Sequence, residues 1–124
     1  MSTYLLAFIV SEFEAASKSN ATEPNQVGIW ARKEALNQSN YAFEITKKIT
    51  DVMEKYLKYP VSKMHPNLKS DHVAIPEMAS GAMENWGIIM YRYFSMKIMF
   101  YDLPIMERIF SCVLNILIIL EKLI

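Results

Sequence analysis

Residue 92 divides this chain into two kinds of sequence, and that break limits where a fold can be sought. Of residues 1–92, 43 are apolar, about 47%, whereas residues 93–124 hold 22 apolar residues in 32, about 69%, with no Gly, Ala, His or Trp. The first part alternates apolar runs, charged stretches and turn formers as a folded domain does. At 124 residues, one ordinary domain is the size expected, and 21% charge with three glycines excludes disorder and collagen-like repeats. Thirteen basic against thirteen acidic side chains leave no net field to attract nucleic acid or an acidic membrane. A lone Cys112 can neither close an intramolecular disulfide nor join a cysteine-rich zinc cluster.

The apolar run of residues 4–10 has no Lys or Arg before it and is followed by Glu12 and Glu14. That argues against a signal peptide and for a buried strand over about residues 3–13. Residues 17–25, with Pro24, read as an exposed loop, and residues 27–32 as a second strand. From Ser39 or Asn40, both N-cap types, apolar residues recur at Tyr41, Ile45, Ile49, Val52, Met53, Tyr56 and Tyr59. This spacing predicts a helix that Pro60 ends. Glu44, Lys48, Asp51, Glu54, Lys55 and Lys58 place acid before base on its other face, the pattern of a solvated surface. Further strands are predicted over residues 71–76 and 86–92, with a turn at 77–80. Asn20-Ala21-Thr22 and Asn37-Gln38-Ser39 are glycosylation sequons for a chain in the secretory pathway.

Gly81-Ala82-Met83-Glu84-Asn85-Trp86-Gly87 is the most specific segment. Small residues before an extended stretch let backbone N–H and C=O groups pair with an incoming peptide as an added strand. Glu84 offers one carboxylate, a natural partner for a free α-ammonium if it faces a dry pocket, and a solvated turn residue otherwise. His65 and His72 are seven residues apart and read as surface or structural histidines.

The seven-residue segment resembles the exopeptidase signature of the zinc aminopeptidases similar to aminopeptidase N, the gluzincin aminopeptidases. The flanks agree: residues 1–8 resemble the last part of that family's N-terminal β-domain, residues 29–32 its entry to the catalytic domain, and residues 71–76 the strand leading to the signature. The resemblance implies an α+β fragment, with residues 1–32 ending a β-domain and crossing over, and residues 33–92 opening a thermolysin-like catalytic domain. Residues 93–124 would add an unrelated apolar helix. It implies substrate-binding roles for Gly81, Ala82 and Met83 on the peptide backbone and for Glu84 on the free amino terminus, with Asn85 shaping the turn. Peptide N-termini are then the partners, and the cell surface or secretory pathway the location.

The family's chemistry requires H-E-x-x-H and a distant Glu to hold zinc, and this sequence contains no such motif. The resemblance therefore implies zinc for the intact family, none for this chain, no catalytic residues here, and a truncated, inactive aminopeptidase. The residues after Arg92 depart from the family's continuation and fit an intron read-through or an alternative last exon. Only residues 109–120 of the tail are free of charge, about 18 Å of helix against roughly 30 Å of hydrocarbon. A membrane span is possible but not favoured. The alternative reading is a non-catalytic protein that binds a membrane or partner through this tail.

Overall fold

The computed structural model describes residues 3–19, 26–60 and 69–92. After a 3₁₀ turn at Thr3–Leu5 come β1 (Glu14–Lys18) and β2 (Gln26–Ala31). A 3₁₀ segment, Lys33–Gln38, runs into α1 (Ser39–Leu57), followed by β3 (Lys69–Ile75), β4 (Ala82–Asn85) and β5 (Ile88–Arg92). The strands form one sheet in the order β1-β2-β3-β5-β4. Its centre, β2, β3 and β5, is parallel, and the edge strands β1 and β4 are antiparallel to their neighbours. Parallel neighbours need crossover connections; α1 lies in the first and β4 in the second. One helix on one mixed sheet is compatible with the α+β class expected. The apolar helix expected in residues 93–124 lies outside the described residues.

Register places Val27, Ile29 and Ala31 of β2 on the same face as Ala74 of β3 and Ile89 and Tyr91 of β5. With Ala35 and Ala42 these residues make the core. The register of β1 slips between Ala15 and Ser17, and Ala16, left over at the bulge, packs against that core.

The strand expected over residues 3–13 is not formed. Leu6, Phe8 and Val10 are 69%, 84% and 92% exposed while Ala7 and Ile9 are half-buried, the alternation of an extended backbone. The edge of β2 is paired instead with Glu14–Lys18, so the more apolar run makes no ladder among the described residues. The strand that does form takes in Ser17 and Lys18, which the sequence assigned to a loop.

The helix has the expected length and a different inward face. Ser39, Ala42, Thr46, Ile49 and Met53 are buried, at spacings of three and four, while Tyr41, Val52 and Tyr56 are exposed. Small residues determine this phase, because Ala42 can approach the core face of β2, formed by Val27, Ile29 and Ala31, where Tyr41 cannot. Ser39 does not cap the helix: its hydroxyl donates to Leu36 O at 2.6 Å, which lets it be buried. Glu44, Lys48, Asp51, Lys55 and Lys58 are exposed as expected. Lys58 ends the helix in the left-handed region, φ 53°, two residues before Pro60.

On the other face of the sheet, Trp30 Nε1 donates to Asp71 Oδ1 at 2.8 Å directly over Gly28. A Cβ at Gly28 would lie 2.5 Å from that oxygen and 3.1 Å from the indole nitrogen. Lys69 completes the cluster with an ion pair to Asp71 Oδ2 at 2.7 Å. Gly28→Ala is therefore expected to cost about 1–3 kcal/mol of stability by overpacking, measured by urea unfolding. The cost should shrink in an Asp71→Ala background, and strict additivity of the two substitutions would refute the contact as its cause.

Candidate functional site

The signature segment lies at the rim of the sheet. Ala82–Asn85 is β4, an edge strand, and Trp86-Gly87 forms the turn into β5, which starts two residues later than the sequence predicted. Gly87 has φ 75°, which a type II turn requires at its second central residue. Its carbonyl accepts from Asp71 N at 2.9 Å, tying the turn to β3.

The ladder determines which backbone groups face outward. Arg92 N donates to Gly81 O at 3.0 Å, so Gly81 and Arg92 are a hydrogen-bonded pair, and antiparallel alternation repeats this at Met83 with Met90 and Asn85 with Ile88. Between them, the N–H and C=O groups of Ala82 and Glu84 point away from β5 toward the outer edge. The next residue in that phase, Trp86, donates its N–H to Leu5 O at 2.8 Å. The outer edge is thus closed just past Glu84 by the 3₁₀ turn of residues 3–5.

Glu84 is half-buried, and its Oε1 accepts from the Tyr4 hydroxyl at 3.2 Å. Asn85 is buried, donating from Nδ2 to Tyr4 O at 2.9 Å, while its Oδ1 has no hydrogen-bond partner among the described residues. Asn85 thus links the signature strand to the turn at residues 3–5. Gly81 is exposed, and Ala82 and Met83 are half-buried, with Ala82 against the core.

Three residues of this region, Tyr4, Leu5 and Arg92, escaped the sequence reading. Tyr4 is 80 positions from Glu84, and nothing in the sequence links them. Arg92 marked only the end of the resemblance; its Nε donates to Met78 O at 2.7 Å and its Nη2 to Ala79 O at 2.6 Å, holding the loop before β4.

His72 is buried, its Nδ1 3.0 Å from the Tyr91 hydroxyl and its Nε2 2.9 Å from Ser70 Oγ, with its ring stacked on Tyr91. Both ring nitrogens are occupied, as in a structural histidine. His65, Cys112 and Asn20 lie outside the described residues; Asn37 of the second sequon is exposed. Among the described residues no group of three or more His, Cys, Asp or Glu could hold a metal ion. A separate open pocket of about 230 Å³, lined by Ile9, Phe13, Trp30, Asp71, Val73 and Ile88, lies on the far face of the sheet.

Comparison with known proteins gives the family of this mixed sheet and its edge strand. Residues 41–104 match the Peptidase family M1 domain, running twelve residues beyond the Arg92 boundary of the resemblance. The chain belongs to that family. It is 46% identical over 94 residues to aminopeptidase N of Mus musculus and 44% identical over 94 residues to endoplasmic reticulum aminopeptidase 2 of Homo sapiens, each match covering 74% of this chain. Membrane alanyl aminopeptidase of Manduca sexta is 42% identical over 92 residues, 73% of this chain. The chain spans only about 9% of the length of each of these relatives.

Burial lowers the His72 pKa to about 4, against the raising influence of Asp71. Because the folded value lies below the unfolded value of about 6.5, the unfolded chain takes up the proton first. Stability is full above pH 6.5 and falls as pH drops through 4, by about 3 kcal/mol at this shift. His72→Gln should lose this component: urea unfolding between pH 7 and 4 is expected to show a shallower loss than the parent, and parallel curves would count against it.

Proposed function

We propose that this chain carries the peptide-end recognition element of a zinc aminopeptidase, an enzyme that removes N-terminal amino acids from peptides. The observation that carries the proposal is the closed edge. An added strand can pair with the outward backbone groups of Ala82 and must stop short of Trp86, whose N–H Leu5 occupies. A chain end placed there lies beside the Glu84 carboxylate, which favours an ammonium over a second carboxylate. Gly81 and Met83 contribute by shaping the strand and keeping it in register. Kinship with the M1 family and with proteins named aminopeptidases supports the same reading, and with it we propose the division into residues 1–32, ending a β-domain, and 33–92, opening a catalytic domain.

Zinc would supply a polarised carbonyl and an activated water in the whole family enzyme. The described residues do not fit it, since His72 spends both nitrogens on Ser70 and Tyr91 and no carboxylate or thiol cluster accompanies it. No step of hydrolysis is assigned to this chain's own residues; they bind and orient. The 124-residue chain is expected to contain no stoichiometric zinc after gel filtration, and one tightly held zinc per chain by elemental analysis would refute this.

In a full-length family enzyme carrying this segment, Glu84→Ala should reduce kcat/KM for free-amine substrates by about 1.5–3 kcal/mol, because the substrate ammonium loses a charge-assisted hydrogen bond. N-acetylated peptides should be nearly insensitive to the change. Cleavage of free-amine substrates at the parent rate would sink the proposal.

A further inference from the structure

We infer that Arg92 is a positioning residue for the signature strand, holding the loop of residues 78–81 so that the outward backbone groups of Ala82 keep the geometry an added peptide needs. The inference rests on the edge-binding reading above. One residue makes three bonds to three positions of a four-residue loop: Nε to Met78 O at 2.7 Å, Nη2 to Ala79 O at 2.6 Å, and its backbone N to Gly81 O at 3.0 Å. Arg presents these donors in a rigid planar fork, which suits two carbonyls of one loop better than a single ammonium does.

The loop needs such a clamp. Residues 76–81 make no strand, and Glu77, Ala79, Ser80 and Gly81 are exposed, so water competes for every bond they make. At its end the chain must enter β4 in the phase that sends Ala82 outward and Met83 inward. β4 is only four residues long and lies at the sheet edge, so little else on the strand enforces that entry. A charge-assisted pair of bonds at the base of the loop fixes the residues that lead into the strand a bound peptide would meet.

The test uses the 124-residue chain and two probes, trialanine with a free amino terminus and N-acetyl-trialanine. Arg92→Met keeps the stem and the backbone N–H bond to Gly81, and removes only the fork. Amide hydrogen exchange at residues 79–84 should speed up at least tenfold in this variant, with β3 unchanged. In titrations followed by NMR, Arg92→Met should weaken both peptides by the same factor, about five- to tenfold, while Glu84→Gln should weaken only the free-amine peptide. Arg92→Lys should lie between parent and Met variant, and if Arg92→Met does not fold it carries the same measurements.

Unchanged exchange at 79–84, or acceleration spread evenly over the sheet, overturns the positioning role. Loss of the free-amine peptide alone in Arg92→Met also overturns it, since that pattern belongs to Glu84. If the parent chain binds neither peptide, the edge-binding reading fails at that point, and the exchange data still decide whether Arg92 holds the loop.

Discussion

The structure depends on the two parallel pairings of β3. On one side Gln26 to Trp30 pair with Lys69 to Val73, and on the other Asp71 to Ile75 pair with Ile88 to Arg92. The first pairing joins residues 43 positions apart, so a long loop must close before any ladder bond can form. A strand with neighbours on both sides must be apolar through its middle, and His72, Val73 and Ala74 are all buried. His72 is tolerated there because Ser70 and Tyr91 satisfy both ring nitrogens; leaving either buried and unbonded would cost about 1–3 kcal/mol.

The candidate site inherits its position from this strand. Asp71 is the joint: its backbone N–H holds the Gly87 carbonyl at the base of the hairpin, and its carboxylate reaches back to Trp30 on β2. Tyr91, bonded to His72, is the register partner of Ala82. A disturbance at His72 in the centre of the sheet is therefore passed through Tyr91 directly to the signature strand.

Sequence pattern located most elements and misjudged their surroundings. Helix, central strands and signature could be read because each has a local signal: a 3.6-residue period, short β-branched runs, and a rare heptapeptide. The face of the helix was misread because the count of apolar residues ignored Ser39 and Thr46, which are buried at its contact with the sheet. The apolar run at residues 4–10 misled for the opposite reason, since a strand is defined by its partner and β2 pairs with Glu14–Lys18. At the site, Glu84 was visible in the motif. Tyr4, Leu5 and the fork of Arg92 were not, because their roles arise only from tertiary proximity and from backbone groups that carry no residue identity.

The closed edge also gives the proposed site a direction. A peptide whose amino end lies beside Glu84 must run toward Ala82, against the sense of β4, and so adds as an antiparallel strand, the slightly more stable pairing. Among the described residues β4 offers the outward backbone groups of Ala82 before the edge closes, so the ladder is short and contributes little selectivity by itself. Discrimination then falls on the carboxylate. The Tyr4 hydroxyl that Glu84 accepts, at 3.2 Å and partly exposed, is a neutral donor, and an arriving ammonium brings a full charge and roughly twice the hydrogen-bond strength. On this reading a site made of the outward N–H and C=O of Ala82 and one anion recognises the end of a chain while remaining indifferent to its sequence.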